Sequence, residues 1–112
     1  MARLTSAMLV SALVRRVSQE GGSAAVLARG DETAGAILLL LYERGANPKF
    51  LERGVGPEGL PALLPSGPAQ LADEGEVAAY WQRRRSRDSD LWVIELDIAG
   101  AERFAAETIG TG

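Results

Sequence analysis

From Thr5 to Glu20 apolar side chains recur at helical spacing, with Leu9, Val10, Leu13, Val14 and Val17 on one face and Ser11, Arg15, Ser18 and Gln19 on the other. Thr5 or Ser6 can cap the start, and Gly21-Gly22 supplies a left-handed stop. The period then changes. Ser23 to Arg29, closed by Gly30-Asp31-Glu32, and Gly35 to Glu43 read as a β-hairpin or as two adjacent strands joined by a short turn. Ile37 to Tyr42 does not alternate, so both faces of that strand should be buried. Leucine also favours helix, but the run is short and flanked by Gly35 and Gly45.

Gly45-Ala46-Asn47-Pro48 is a turn signal, and Lys49 to Arg53 continues as a third strand, antiparallel to the second. Gly54 to Pro68 holds four of the five prolines and reads as a loop with a short edge strand around Leu60 to Leu64. Asp73 with Glu76 fits a capping box ahead of Val77, Tyr80, Trp81 and Arg84, predicting a helix from Glu74 to about Arg85. After a turn at Ser86 to Asp90, Leu91 to Asp97 is a strand with Trp92, Ile94 and Leu96 on one face and Val93, Glu95 and Asp97 on the other. In the tail, Ala99 to Gly112, the residues Ala101, Phe104, Ala105 and Ile109 suit a short helix. The alternative, a hairpin turned at Ala99-Gly100 into Glu102 to Ala106, is the weaker fit.

These elements predict an α+β fold, in the order α-β-β-β-α-β plus the tail. The sheet should be mainly antiparallel or mixed, of about four strands, with two to three helices chiefly on one side. Leu38 to Leu41 and Leu91 to Ile94 are apolar on both faces. Either the first two helices take opposite faces, or a second copy covers the open one. An isologous homodimer is favoured, because an open apolar sheet face would exceed what a monomer normally exposes.

Length and composition narrow the function classes. At 112 residues, 46% hydrophobic and 24% charged, the chain is of single-domain size, residues 1–112. It has neither Cys nor His, which excludes thiol and imidazole catalysis, disulfides and zinc sites built on those ligands. Lys49 is the one lysine among 12 basic residues, so covalent amine chemistry has little to work with. A net charge of −3 argues against general nucleic-acid coating. Ala7 to Val14 resembles a short signal core, but Arg15-Arg16 follows it and no small-residue cleavage pattern does. The longest apolar run, Ala34 to Tyr42, is about half a membrane span, and the expectation is a cytoplasmic protein with no membrane partner.

Ser11-Ala12-Leu13-Val14-Arg15-Arg16, Arg29-Gly30-Asp31 with Ala34-Gly35, Tyr80 with Arg83-Arg84, and Asp88 to Glu95 together resemble the small alphaproteobacterial proteins of the family of unknown function number 1491. The resemblance covers roughly residues 1 to 97 and departs at Ser89, where proline is expected, and across Leu51 to Leu71. It implies a small cytoplasmic bacterial protein and carries over no activity, substrate or catalytic residue.

Candidate chemistry has a plainer reading beside each sharp one. Gly54-Val55-Gly56-Pro57-Glu58-Gly59 matches a dinucleotide fingerprint, but Pro57, Pro61 and Pro65 deny it the following helix. Arg83, Arg84, Arg85 and Arg87 could grip phosphates, with Trp81 as a stacking platform for a base. The plainer reading is a cationic last turn complementing the helix dipole, with Trp81 in the core. Asp88-Ser89-Asp90, with Glu95 or Asp97, offers oxygen ligands to Mg²⁺ or Ca²⁺, although Asp and Ser there suit a turn better. Arg29 to Thr33 is most simply a hairpin turn, with Gly30 tolerating positive φ. No cofactor or metal is therefore expected. The favoured function is a non-catalytic interaction or ligand-binding module working as a homodimer. The alternative is a nucleic-acid or phosphorylated-ligand binder through Trp81, Arg83, Arg84, Arg85 and Arg87. An enzyme ranks third: Asp31, Asp90 and Glu95 in one pocket would raise that reading, and their separation on opposite ends of the sheet would sink it.

Overall fold

In the computed structural model, which describes residues 4–110, the first helical period becomes α1 (Ser6–Gln19). The Thr5 side chain accepts the Met8 N–H at its start, and Gly21, at φ 86°, turns the chain out at its end. The chain continues through β1 (Ser23–Ala28), β2 (Ile37–Glu43), β3 (Ala46–Val55), β4 (Pro61–Ser66), α2 (Glu74–Arg87), β5 (Trp92–Asp97) and α3 (Ala101–Ile109). The fold is α+β, with three helices and a mixed five-stranded sheet ordered β1-β5-β2-β3-β4. β2 and β5 run parallel, and every other pair is antiparallel.

One expectation about the sheet is corrected and another is extended. β1 and β2 are not neighbours, because β5 lies between them, pairing Val26 with Ile94 on one side and Leu39 with Ile94 on the other. The reason is burial: Trp92 to Ile94 are buried, as a strand apolar on both faces requires, whereas β1 is exposed or half-buried throughout and belongs at an edge. In the Gly54 to Pro68 stretch the expected edge strand is present, as Pro61–Ser66, and the loop around it is shorter than expected. β3 extends to Val55 and pairs with β4, whose Pro61 and Pro65 are tolerated on an edge strand that can spare their N–H groups. The dinucleotide-like glycines therefore form the end of β3 and its turn, with Gly56 N–H donating to Leu60 O.

The helices do not gather on one side. α1 and α3 cover one face, where Leu13, Val17, Phe104 and Ile109 pack on Leu39, Leu41, Trp92 and Ile94. α2 covers the other, placing Val77, Tyr80 and Trp81 on Leu38, Leu40, Phe50 and Val93. Of the two solutions to the packing problem, helices on opposite faces is the one adopted, and the face that called for a second copy is filled by α2. The tail is helical as preferred, and residues 111–112 at its end lie outside the described residues. Among the described residues no helix is long and apolar enough to cross a membrane.

Candidate functional site

The arginine run is divided by the geometry of α2. Arg84 lies one turn after Tyr80 and turns toward β3 and β4, where its Nη2 donates to Glu52 Oε1 at 2.7 Å. Its Nη1 donates to Tyr80 Oη at 3.0 Å and Ser66 Oγ at 3.1 Å. Tyr80 packs against Phe50 in a tilted pair, with ring centroids 4.7 Å apart and planes at 53°. Burial by itself would lower the Arg84 pKa, but the bonds to Tyr80 and Glu52 outweigh it and hold the group above its ordinary value. This arginine therefore clamps α2 to the β3–β4 hairpin. Arg85 lies one turn after Trp81 on the neighbouring stripe, and its Nη2 donates to the Arg29 carbonyl at 2.9 Å. Trp81 is half-buried against the sheet, in keeping with its core reading. Only Arg83 and Arg87 of the proposed set stand exposed. The five residues do not converge on one place.

Ser66 and Glu52 are not singled out by the sequence, and Tyr80 is read there only as part of the helical period and the family motif, not as a site residue. The Tyr80–Arg84 spacing of one turn was the available signal, whereas Glu52 and Ser66 become partners only through the β3–β4 pairing.

A second polar group sits where parallel strands β2 and β5 end, beside the first turn of α2. Tyr42 Oη donates to Glu74 Oε2 at 2.7 Å, and Asp97 Oδ2 accepts the Gly45 N–H at 2.9 Å. Burial, then the Glu74 and Asp97 charges, push the Glu95 carboxyl above its ordinary value. Burial and the Glu74 bond raise Tyr42 as well. Because its folded-state pKa is raised, Glu95 favours the fold most when protonated, and that contribution is lost as pH rises through the raised value. Glu95→Gln is therefore expected to raise the melting temperature by a few degrees at neutral pH. The difference should close below about pH 4, where the glutamate is also uncharged. Equal melting curves for the two proteins at neutral pH would contradict this.

Asp88 Oδ1 accepts the Asp90 N–H at 3.0 Å, so Asp88-Ser89-Asp90 serves its turn. Among the described residues no group of three or more acidic side chains is arranged to hold a metal ion. Arg29 to Thr33 departs from its expected form: it is no hairpin turn but a connection crossing the start of β5, and Gly30 does not take positive φ. Its glycine is needed for close approach, since a Cβ there would stand 2.7 Å from Trp92 Cδ1 and would overlap the Asp90 carbonyl oxygen. Asp31 Oδ2 accepts the Thr33 and Ala34 N–H groups, and its own N–H donates to Asp90 O at 3.0 Å. Asp31 and Asp90 thus meet at the start of β5, while Glu95 lies five residues on, roughly 16 Å along an extended strand, among Glu74 and Asp97. The three do not share a pocket. A shallow depression of about 160 Å³, lined by Leu41, Glu43, Asn47, Lys49, Ala101 and Glu102, is smaller than the roughly 300 Å³ at which small-molecule pockets begin.

Large apolar side chains are exposed at the opposite end of the sheet from that depression. Ser6 Oγ donates to Gly35 O at 2.6 Å, which sets the first turn of α1 beside the start of β2. The pairing of Leu38 with Glu52 brings the end of β3 to the same place. Val55 has the parity of Leu51, which packs under α1 and α3, so it faces that layer beyond the point where α3 stops. Leu4 (60%), Met8 (53%), Val55 (69%) and Leu60 (63%) are all largely exposed there.

No curated protein matches the chain. The model of a protein family of unknown function, DUF1491, matches residues 4–106. A crystal structure of a DUF1491 family protein from Caulobacter crescentus CB15 is 27% identical, with a TM-score of 0.77 over 91% of this chain and 94% of that one. The NMR structure of a DUF1491 family protein from the same organism gives 0.76 at 27% identity, over 93% and 94%. The solution structure of Atu0922 from A. tumefaciens is 35% identical, with a TM-score of 0.65 over 86% of each chain. The motifs, the fold and these likenesses agree, and the chain belongs to the DUF1491 family of proteins of unknown function.

Proposed function

We propose that this protein is a non-catalytic interaction module, working as a homodimer, that presents its apolar end to a protein partner. The observation that carries the reading is that Leu4, Met8, Val55 and Leu60, four of the six large exposed apolar side chains among the described residues, lie toward the end of the molecule where β2 starts and β3 ends. Isolated exposed leucines are ordinary, whereas a gathered group marks a contact surface. The arginine alternative is less well supported, because Arg84 is neutralised by Glu52 and Arg85 is turned to a backbone carbonyl.

The test is a low-salt pull-down from native bacterial extract with the wild type and with a Met8→Ser, Val55→Ser variant. Both positions are exposed, so the variant should keep its stability within about 0.5 kcal/mol. A stoichiometric protein retained by the wild type and lost by the variant supports the reading. Nucleic acid that co-elutes and leaves at high salt would transfer it to the arginines. Equal eluates from the two proteins would overturn it.

A further inference from the structure

We infer that two copies of the chain join through the free edge of β1, antiparallel about a twofold axis at Ala25, so that their sheets form one continuous ten-stranded sheet. This rests on the homodimeric reading above and says where the two copies meet. With both sheet faces covered, the edges are what remain to pair. They are unlike each other. β4 carries Pro61 and Pro65, which remove two ladder donors and blunt that edge. β1, Ser-Ala-Ala-Val-Leu-Ala, has no proline and no charge. Among the described residues its backbone makes no hydrogen bond beyond the β5 ladder. The irregularity in its pairing lies between Val26 and Ala28, leaving Ser23 to Val26 as regular strand.

Self-pairing suits this strand. Facing residues of an antiparallel pair project to the same side, so a twofold axis must pass through a residue rather than between two. At Ala25 it sets each Ala24 against the partner copy's Val26, both on the α1 side, and covers the 40% exposed Val26. Glu20, at the cap of α1, and Arg29, just after β1, flank the strand with opposite charges. Among the described residues neither forms an ion pair within its own chain. Overhead, Arg16 of α1 points toward α3, bonding Glu107 and Thr108. The helix flank opposite Arg16, with Ala7, Ser11, Val14 and Ser18 at 100° per residue, therefore overhangs the β1 edge, bordered on its solvent side by the exposed Arg15.

Light scattering across a wide concentration range tests the association, and single cysteines test its place in a chain that has none. The wild type is expected to rise from monomer toward dimer mass, and Val26→Lys, at an exposed position, to stay monomeric. Under mild oxidation Ala25→Cys should yield disulfide-linked dimer at least tenfold faster than Val55→Cys, because cross-strand Cα atoms on the axis lie within disulfide reach. A dimer that survives Val26→Lys, with Ala25→Cys no faster than Val55→Cys, overturns the β1 interface and leaves a homodimer built elsewhere. A concentration-independent monomer overturns both.

Discussion

Gly35→Ala should destabilise the protein by about 3 kcal/mol or more, with Gly30→Ala close behind, although neither glycine has the positive φ for which glycine is usually required. The requirement is space. The connection from β1 to β2 must cross the start of β5, and it does so by closing around the Asp90 carbonyl, which accepts the Asp31 N–H. A methyl on Gly35 would overlap that carbonyl oxygen and stand 2.9 Å from Asp31 N, and these are backbone atoms with no rotamer to escape into. Relief would require moving the connection off β5, breaking the Asp31 bond and the bond from Ser6 Oγ to Gly35 O that anchors α1. Asp90→Ala keeps the carbonyl and removes only an exposed carboxylate, so it should cost less than about 1 kcal/mol. Urea unfolding of the three variants checks this; a Gly35→Ala protein within 1 kcal/mol of wild type would show that the crossing has slack.

How much of this was legible in the sequence depends on the range of the interaction concerned. α1 and α2 were readable because helix signals are local: a 3.6-residue period, Thr5 at one start, and Asp73 with Glu76 at the other. In that second cap Asp73 Oδ1 accepts the Glu76 N–H, and Glu76 reaches back to the Ala72 N–H, one residue further than a strict capping box. The faces of β5 were readable from alternation. Its position was not, because strand order is set by which surfaces find cover. The smaller side chains of Ser23 to Ala28 against the bulky apolar Trp92 to Ile94 were the one hint that β1 belongs at an edge and β5 inside. At β4 the prolines marked the edge strand that is there, but because they mark loops and edge strands alike they did not give its full extent. The arginines form one run in the sequence, while a helix sends neighbours 100° apart. Arg84 goes to Glu52, Arg85 to the Arg29 carbonyl, and Arg83 and Arg87 to solvent. The apolar end is scattered in sequence over Leu4, Met8, Val55 and Leu60, and only the β2–β3 register assembles it.

The other large effect is expected at Trp92, the largest fully buried side chain, which joins the crossing to the core beneath α1 and α3. Trp92→Ala should cost about 4 kcal/mol through lost burial and an unfilled cavity. Against a typical total of about 5–15 kcal/mol for a domain of this size, that brings unfolding close to working temperature. Trp92→Phe separates two contributions. It keeps an aromatic ring under Arg29, whose guanidinium carbon lies 5.3 Å from the indole centroid, but deletes the 2.8 Å bond from Nε1 to Asp31 O. That bond should account for about 1 kcal/mol of the loss. Gly30 and Trp92 are also coupled, since the Cβ of Gly30→Ala would press on Trp92 Cδ1, and the smaller ring of Trp92→Phe makes room for part of that methyl. The double variant should therefore be less destabilised than the sum of the two singles, by about 0.5 kcal/mol or more. Equilibrium unfolding followed by far-ultraviolet circular dichroism reads all four proteins of this cycle without relying on either tryptophan. Strict additivity would mean that Gly30 is held by the Asp90 carbonyl alone, with Trp92 filling the core independently of the loop above it.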